Sequence, residues 1–173
     1  LVWGGGYDFG SEDVSGDLDT PITLSHGWGA STTVTPDPTS AITLSGLSSS
    51  GTFYVNYYLR SADVTAFVDS NGGGTFTVGG VPATQGWLMD ELNAAGWALV
   101  VAYADDTLPR RAVIIYTGLG WLDENDDQDF SLTGMCTPLS GPVSGRILLA
   151  ALEGDADRTG DQALIAGDSM IFA

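Results

Sequence analysis

The sequence predicts an all-β fold of the β-sandwich or jelly-roll type, with one or two short helical insertions. Three observations lead to this prediction. Short runs alternate apolar and hydroxyl residues with a period of two, other runs are continuously apolar over strand length, and glycines separate the runs. With 173 residues, 43% of them hydrophobic, the chain has the size and composition of one domain. We therefore assign residues 1–173 to a single β-sandwich.

The alternating runs TPITLS (20–25), STTVTP (31–36) and SAITLS (40–45) are typical of half-buried strands. The aromatic-rich run GTFYVNYYLR (51–60) predicts a strand near the centre of a sheet, and GTFTVGG (74–80) predicts another after a glycine turn. The other β-type segments are LVWGG (1–5), WALVVAYA (97–104), AVIIYTG (112–118), VSGRILLAALEG (143–154) and DSMIFA (168–173).

Two segments favour a helix. ADVTAFVDS (62–70) is long enough for one or two turns, and WLMDELNAAG (87–96) has near-helical spacing that ends at Gly96. The glycine triplets at 4–6 and 72–74 fit no dinucleotide-binding fingerprint. We interpret both triplets as turns.

The charge is strongly negative. There are 22 acidic residues against five basic ones, all arginines, which gives a net charge of -17. Such a surface repels phosphate backbones and anionic lipid heads, so we expect no nucleic-acid partner. No apolar run reaches membrane-spanning length, so we expect no membrane insertion. The chain begins with strand-like residues in place of a methionine or signal peptide, so we expect a trimmed N-terminus.

Catalytic signatures are absent from the sequence. His26 is the sole histidine, in LSHGWG (24–29), and no G-x-S-x-G elbow, P-loop or H-E-x-x-H motif accompanies it. We interpret His26 as a surface residue and predict that the protein is not an enzyme. The many carboxylates still leave a glycan-cleaving pair open, because sequence alone cannot select one.

Two acidic loops are candidate Ca²⁺ sites, because hard cations take carboxylate and carbonyl oxygens on glycine-permissive loops. The first, DADRTGD (155–161), resembles the start of an EF-hand loop but has Ala166 where the closing glutamate would stand. The second is DENDDQD (123–129), and YDFGSEDVSGDLD (7–19) is a weaker third. The alternative for each is a solvated loop between strands. The predicted metal ligands are Asp155, Asp157, Asp161, Asp123, Asn125, Asp127 and Asp129.

Aromatic and arginine residues give two further possibilities. Trp28, Trp87 and Trp121 lie near predicted loops, where exposed aromatics serve sugar-binding modules, although core packing is the commoner use. Arg110 and Arg111 form a basic pair that suits either an acidic neighbour or a surface ion pair, and we favour the ion pair.

Several phrases, taken in order, resemble a poorly characterised family of secreted domains in large bacterial and archaeal surface proteins. They are DVT (63–65), the GWALVVAY strand (96–103) followed by P-x-R (109–111), and the late EGD (153–155) and TGD (159–161). The resemblance implies an extracellular β-rich module with no established enzymatic activity. Its family-type residues would be Asp63, Trp97, Arg111, Glu153, Gly154, Asp155, Gly160 and Asp161.

Two functions remain as hypotheses. The first is a structural or adhesive module at the cell surface, stabilised by calcium, that assembles into a fibre or layer. Its partners would be copies of itself or other surface proteins, joined through edge strands such as LVWGG and DSMIFA. The second is a secreted domain that binds or cleaves carbohydrate.

Overall fold

The computed structural model describes residues 1–47, 51, 54–86, 93–108, 111–121, 128–134, 140, 145–151, 164–165 and 168–169. Every strand pair among them is antiparallel, and one α-helix and two short 3₁₀ turns complete the regular structure of this part. The predicted all-β, sandwich-like fold with minor helical insertions is therefore confirmed. No helix among the described residues is both long and apolar enough to cross a bilayer.

Eleven strands and the helix follow one another along the described chain. They are β1 (Val2–Gly6), β2 (Asp8–Phe9), β3 (Glu12–Asp13), β4 (Ile22–His26), β5 (Ser31–Val34), β6 (Ile42–Leu47), β7 (Tyr54–Ser61), α1 (Thr65–Asn71), β8 (Phe76–Gly79), β9 (Ala95–Ala98), β10 (Leu164–Ile165) and β11 (Asp168–Ser169). The 3₁₀ turns are Ser15–Asp17 and Pro38–Ser40.

Two sheets hold most of the strands that the structure describes. The larger has the strand order β6-β7-β1-β9, and the smaller has the order β5-β4-β8. Two short ribbons, β2-β3 and β10-β11, are separate. The strand β1 is therefore internal, paired with β7 on one side and β9 on the other. Since both of its edges are occupied, LVWGG cannot pair with a neighbouring molecule as long as this sheet is intact.

The core lies between the two sheets. Trp3 on β1 and Tyr58 on β7 are fully buried and pack in one cluster with Ile22 and Leu24 of β4. On β4 the burial alternates with period two, as the sequence pattern predicts. Burial raises the pKa of the Tyr58 hydroxyl well above its usual value, which keeps it a donor to the Pro82 carbonyl at 2.6 Å.

The first glycine triplet lies inside strand β1, so its interpretation as a turn is wrong. A Cβ on Gly4 would strike the backbone carbonyl of Tyr58, and one on Gly5 would lie 2.7 Å from the carbonyl oxygen of Ala94. Neighbouring backbones approach β1 so closely that only glycine fits there. The second triplet is a true turn, with Gly72 at φ 70° ending helix α1.

A repeated D-x-S/T pattern fixes local turns. In each, an aspartate carboxylate accepts the backbone N–H of the residue two positions later, at 2.8 Å. Asp63 supplies this contact at the start of α1, within the predicted helical segment 62–70. The four pairs are Asp13–Ser15, Asp37–Thr39, Asp63–Thr65 and Asp105–Thr107.

The second half of the chain departs from the predicted elements. Gly96, predicted to end a helix, lies in β9 opposite Gly4, while 87–92 fall outside the described residues. The described parts of 99–104, 112–118 and 145–151 form no strand. A β-type run becomes a strand only when another strand supplies its hydrogen bonds, and none does so for these segments within the described structure.

Candidate functional site

A small pocket lies where two loops meet at one end of the smaller sheet. Antiparallel pairing of β4 with β8 sets His26 opposite Phe76, which brings the turn after β4 beside the glycine loop before β8. The Gly27 N–H donates to the Thr75 carbonyl at 2.9 Å and ties the loops together. The pocket has a volume of about 280 Å³. It is lined by His26, Gly27, Trp28, Gly74 and Thr75.

His26 forms the inner wall of the pocket and is only 3% exposed, so the prediction of a surface histidine is wrong. Positions 22, 24 and 26 share the buried face of β4, and this alternation is the sequence signal that would have identified His26 as an inward residue. The rings of His26 and Phe76 pack in a T-shaped arrangement, with their centroids 4.9 Å apart.

The hydrogen bonding of His26 shows which of its two ring nitrogens carries the proton in the neutral imidazole. Its Nδ1 accepts the backbone N–H of Trp28 at 3.3 Å, so in the neutral ring the proton sits on Nε2. That Nε2 is buried and has no hydrogen-bond partner among the described residues. A buried donor left unpaired costs about 1–3 kcal/mol, so this nitrogen is a position where a bound water or another acceptor would be stabilising.

Gly74 lies directly against this nitrogen. Its φ of 153° is one that residues with a side chain rarely adopt, and a Cβ there would lie 2.5 Å from Nε2. A glycine is therefore required at this position both by the backbone and by the imidazole. The neighbouring Gly73 has open space around its Cβ position.

Trp28 forms the outer wall and is 85% exposed. Its ring centroid lies 6.2 Å from that of His26, with the planes inclined at 33°. The other two tryptophans named as sugar-contact candidates differ from it. Trp121 stacks on Tyr57 at 5.4 Å and is partly buried, and Trp87 lies outside the described residues. Of the two candidates that the structure describes, Trp28 is the one whose indole is largely exposed.

The predicted calcium ligands fall mostly outside the described residues. Of the seven, the structure describes only Asp129, which is exposed, while Asp155, Asp157, Asp161, Asp123, Asn125 and Asp127 lie outside it. No group of three or more His, Cys, Asp or Glu side chains gathers within the described ranges. Binding of Ca²⁺ by the acidic loops therefore stays a prediction.

The remaining predicted residues occupy separate elements. Trp97 lies on β9 opposite Trp3, Asp63 precedes α1, and Arg111 is exposed, whereas Arg110 lies outside the described residues. Glu153, Gly154, Asp155, Gly160 and Asp161 lie outside as well.

Comparison of the chain with protein-family models, with curated proteins and with solved structures gives no match in any of the three.

Proposed function

We propose that this protein is a non-catalytic structural or adhesive module of an extracellular surface, whose copies join by adding a strand of one molecule to a sheet edge of the next. One observation carries the proposal. The run Val-Ile-Ile-Tyr at 113–116, made of residues that favour strands, exposes all of its side chains and has no strand partner within the described structure. The resemblance to secreted surface domains points in the same direction.

The acceptor in this proposal is the edge strand β6. It is the end strand of the larger sheet, and its sequence ITLSGL contains no charged residue and no proline. Edge strands that must stay unpaired usually carry lysine, proline or a bulge, because their free N–H and C=O groups attract other strands. With six residues, β6 is also long enough to hold a short donor segment.

The donor is segment 112–118. Val113 is 67% exposed, Ile115 is 54% exposed, and Ile114 and Tyr116 are also exposed. Leaving such side chains in water is unfavourable by about 25 cal/mol for each Å² of apolar surface. Addition to β6 would give this segment the backbone hydrogen bonds of a strand and would bury one of its faces.

The charge sets the conditions for assembly. Two copies with a net charge of -17 each repel one another at low salt, and salt or divalent cations reduce this repulsion. We therefore expect association to strengthen with ionic strength and with Ca²⁺.

Light scattering after size-exclusion chromatography tests the proposal at low and high salt, with and without Ca²⁺. The wild type is expected to form concentration-dependent oligomers. Ile114→Asn with Ile115→Asn should leave a monomer, whereas Leu148→Asn, at another exposed apolar position, should not. A peptide of residues 111–118 should compete with assembly, and a scrambled peptide should not. A monomer under all conditions would refute the proposal.

A carbohydrate-binding role is the second candidate, and the exposure of Trp28 beside the His26 pocket favours it. An indole face with a neighbouring hydrogen-bond donor is the arrangement that sugar sites use. The two candidates are compatible, because β6 and the His26 pocket lie on different sheets.

A further inference from the structure

We infer that the pocket between His26 and Trp28 binds one neutral sugar ring, which stacks on the indole of Trp28 and accepts a hydrogen bond from Nε2–H of His26. This inference rests on the carbohydrate-binding candidate and gives it a site. It does not depend on assembly through β6.

The donor defines what the ligand must offer. The Trp28 backbone N–H occupies Nδ1, so Nε2 presents its proton and requires an acceptor oxygen. A sugar hydroxyl or ring oxygen supplies one. In the unbound protein the Nε2–H donor is buried without an acceptor in the described part of the chain, which is unfavourable. A hydrogen bond to a ligand oxygen removes this cost, and the gain adds to the binding free energy.

The aromatic wall defines the shape of the ligand. Trp28 is 85% exposed, and its contact with the His26 ring is tilted and not stacked. The C–H face of a pyranose is flat and apolar, so it can cover an indole while its hydroxyls point elsewhere. Thr75 is exposed and lines the same pocket, so its hydroxyl is a candidate second polar group for the ring.

The volume of the pocket and the net charge of the protein restrict the class of sugar further. A volume of about 280 Å³ lies just below the 300–1,000 Å³ usual for drug-sized ligands, which suits a single ring. The net charge of -17 disfavours uronic acids and sialic acids, since like charges repel. A neutral terminal sugar is the ligand that fits both constraints.

Access to Nε2 runs past the glycine loop. The nitrogen lies against Gly74, at the place where a side chain would stand. Because Nε2 is buried, a ligand oxygen reaches it only if the loop at 72–74 moves, and its glycines permit a wide range of backbone conformations. A side chain at position 74 would occupy that space.

The experiment titrates the full chain with the neutral methyl glycosides of glucose, galactose, mannose and N-acetylglucosamine. Glucuronic acid is the negatively charged comparison ligand. Binding is read by tryptophan fluorescence and by NMR of the His26 ring. At least one neutral glycoside is expected to bind, and glucuronic acid should bind at least tenfold more weakly than that glycoside. No binding of any neutral sugar at tens of millimolar, or preferred binding of the acid, would overturn the inference.

Matched variants locate the site. Trp28→Ala removes an exposed side chain and should weaken binding at least tenfold, whereas Tyr103→Ala, also at an exposed aromatic, should not. Gly74→Ala should block binding and Gly73→Ala should preserve it. Binding unchanged in Trp28→Ala, or lost equally in Gly73→Ala, contradicts the proposed site. Light scattering on Trp28→Ala separates the two proposals, because assembly should persist when sugar binding is lost.

Discussion

The guanidinium of Arg60, which is 5% exposed, donates from Nε to the carboxylate of Asp19 at 2.7 Å, although Asp19 itself is 76% exposed. Arg60 also donates to the carbonyls of Ile42 and Leu59, at 3.1 and 2.9 Å. The guanidinium also makes a cation–π contact with Tyr58, with the guanidinium carbon 5.6 Å from the ring centroid. A single buried cation thus joins the larger sheet to the loop before β4.

This asymmetry predicts unequal effects of removing the two partners. Asp19→Asn should lower the free energy of unfolding by less than about 1 kcal/mol, because water solvates much of the exposed carboxylate. Arg60→Leu should cost about 2–4 kcal/mol, since it leaves two carbonyls without their donor. Urea unfolding of both variants measures the difference. Equal losses would mean that the ion pair, and not the carbonyl contacts, stabilises this region.

The close packing around β1 predicts strong intolerance at Gly4. Gly4→Ala should cost at least about 3 kcal/mol or prevent folding, because the new methyl meets the backbone carbonyl of Tyr58, which cannot rotate away. Gly16→Ala is the matched control, since its Cβ would enter open space and should change stability by under about 0.5 kcal/mol. Circular dichroism during thermal unfolding compares the two variants. Similar melting temperatures would contradict the tight sheet.

The D-x-S/T turns predict a loss of stability in acid. Hydrogen bonds from the backbone and hydroxyl of Thr39 hold the pKa of Asp37 below its usual value. Because the folded-state pKa is the lower one, the turn stabilises the protein above the unfolded-state value, near pH 4, and this contribution disappears as the pH falls through the folded-state pKa.

Thermal unfolding between about pH 6 and pH 2 measures this loss. Asp37→Ala should be less stable at neutral pH and should lose less stability in acid than the wild type. Asp37→Asn keeps an acceptor oxygen but does not titrate. Its melting temperature should therefore resemble that of the wild type near neutrality and should fall less steeply as the pH is lowered. If the melting temperature of Asp37→Asn fell with pH as steeply as that of the wild type, this turn would be excluded as a source of the pH dependence.

Calcium binding by the acidic loops predicts a dependence of stability on the metal. At a Ca²⁺ concentration 100 times its dissociation constant, native-state binding stabilises by about 2.7 kcal/mol. Wild-type protein should therefore melt at a higher temperature with Ca²⁺ than with chelator, and Asp157→Asn should reduce the difference. Asp69→Asn, on the exposed face of α1, is the matched control. An identical melting curve with and without chelator would refute the metal prediction.

The sequence by itself determined the strand character of the first half, through the alternation in runs such as ITLSH, and the glycine that ends α1. Only the tertiary structure decided which backbones meet. Gly4 and Gly5 are strand residues because β1 pairs with β7 and β9, and these neighbouring backbones leave no room for a Cβ at either position. The pocket arose because β4 and β8, some 50 residues apart in sequence, set His26 beside the glycine loop. Local patterns specify which residues favour extended backbone. Which strand pairs with which depends on contacts between residues far apart in sequence, and alternation alone does not determine them.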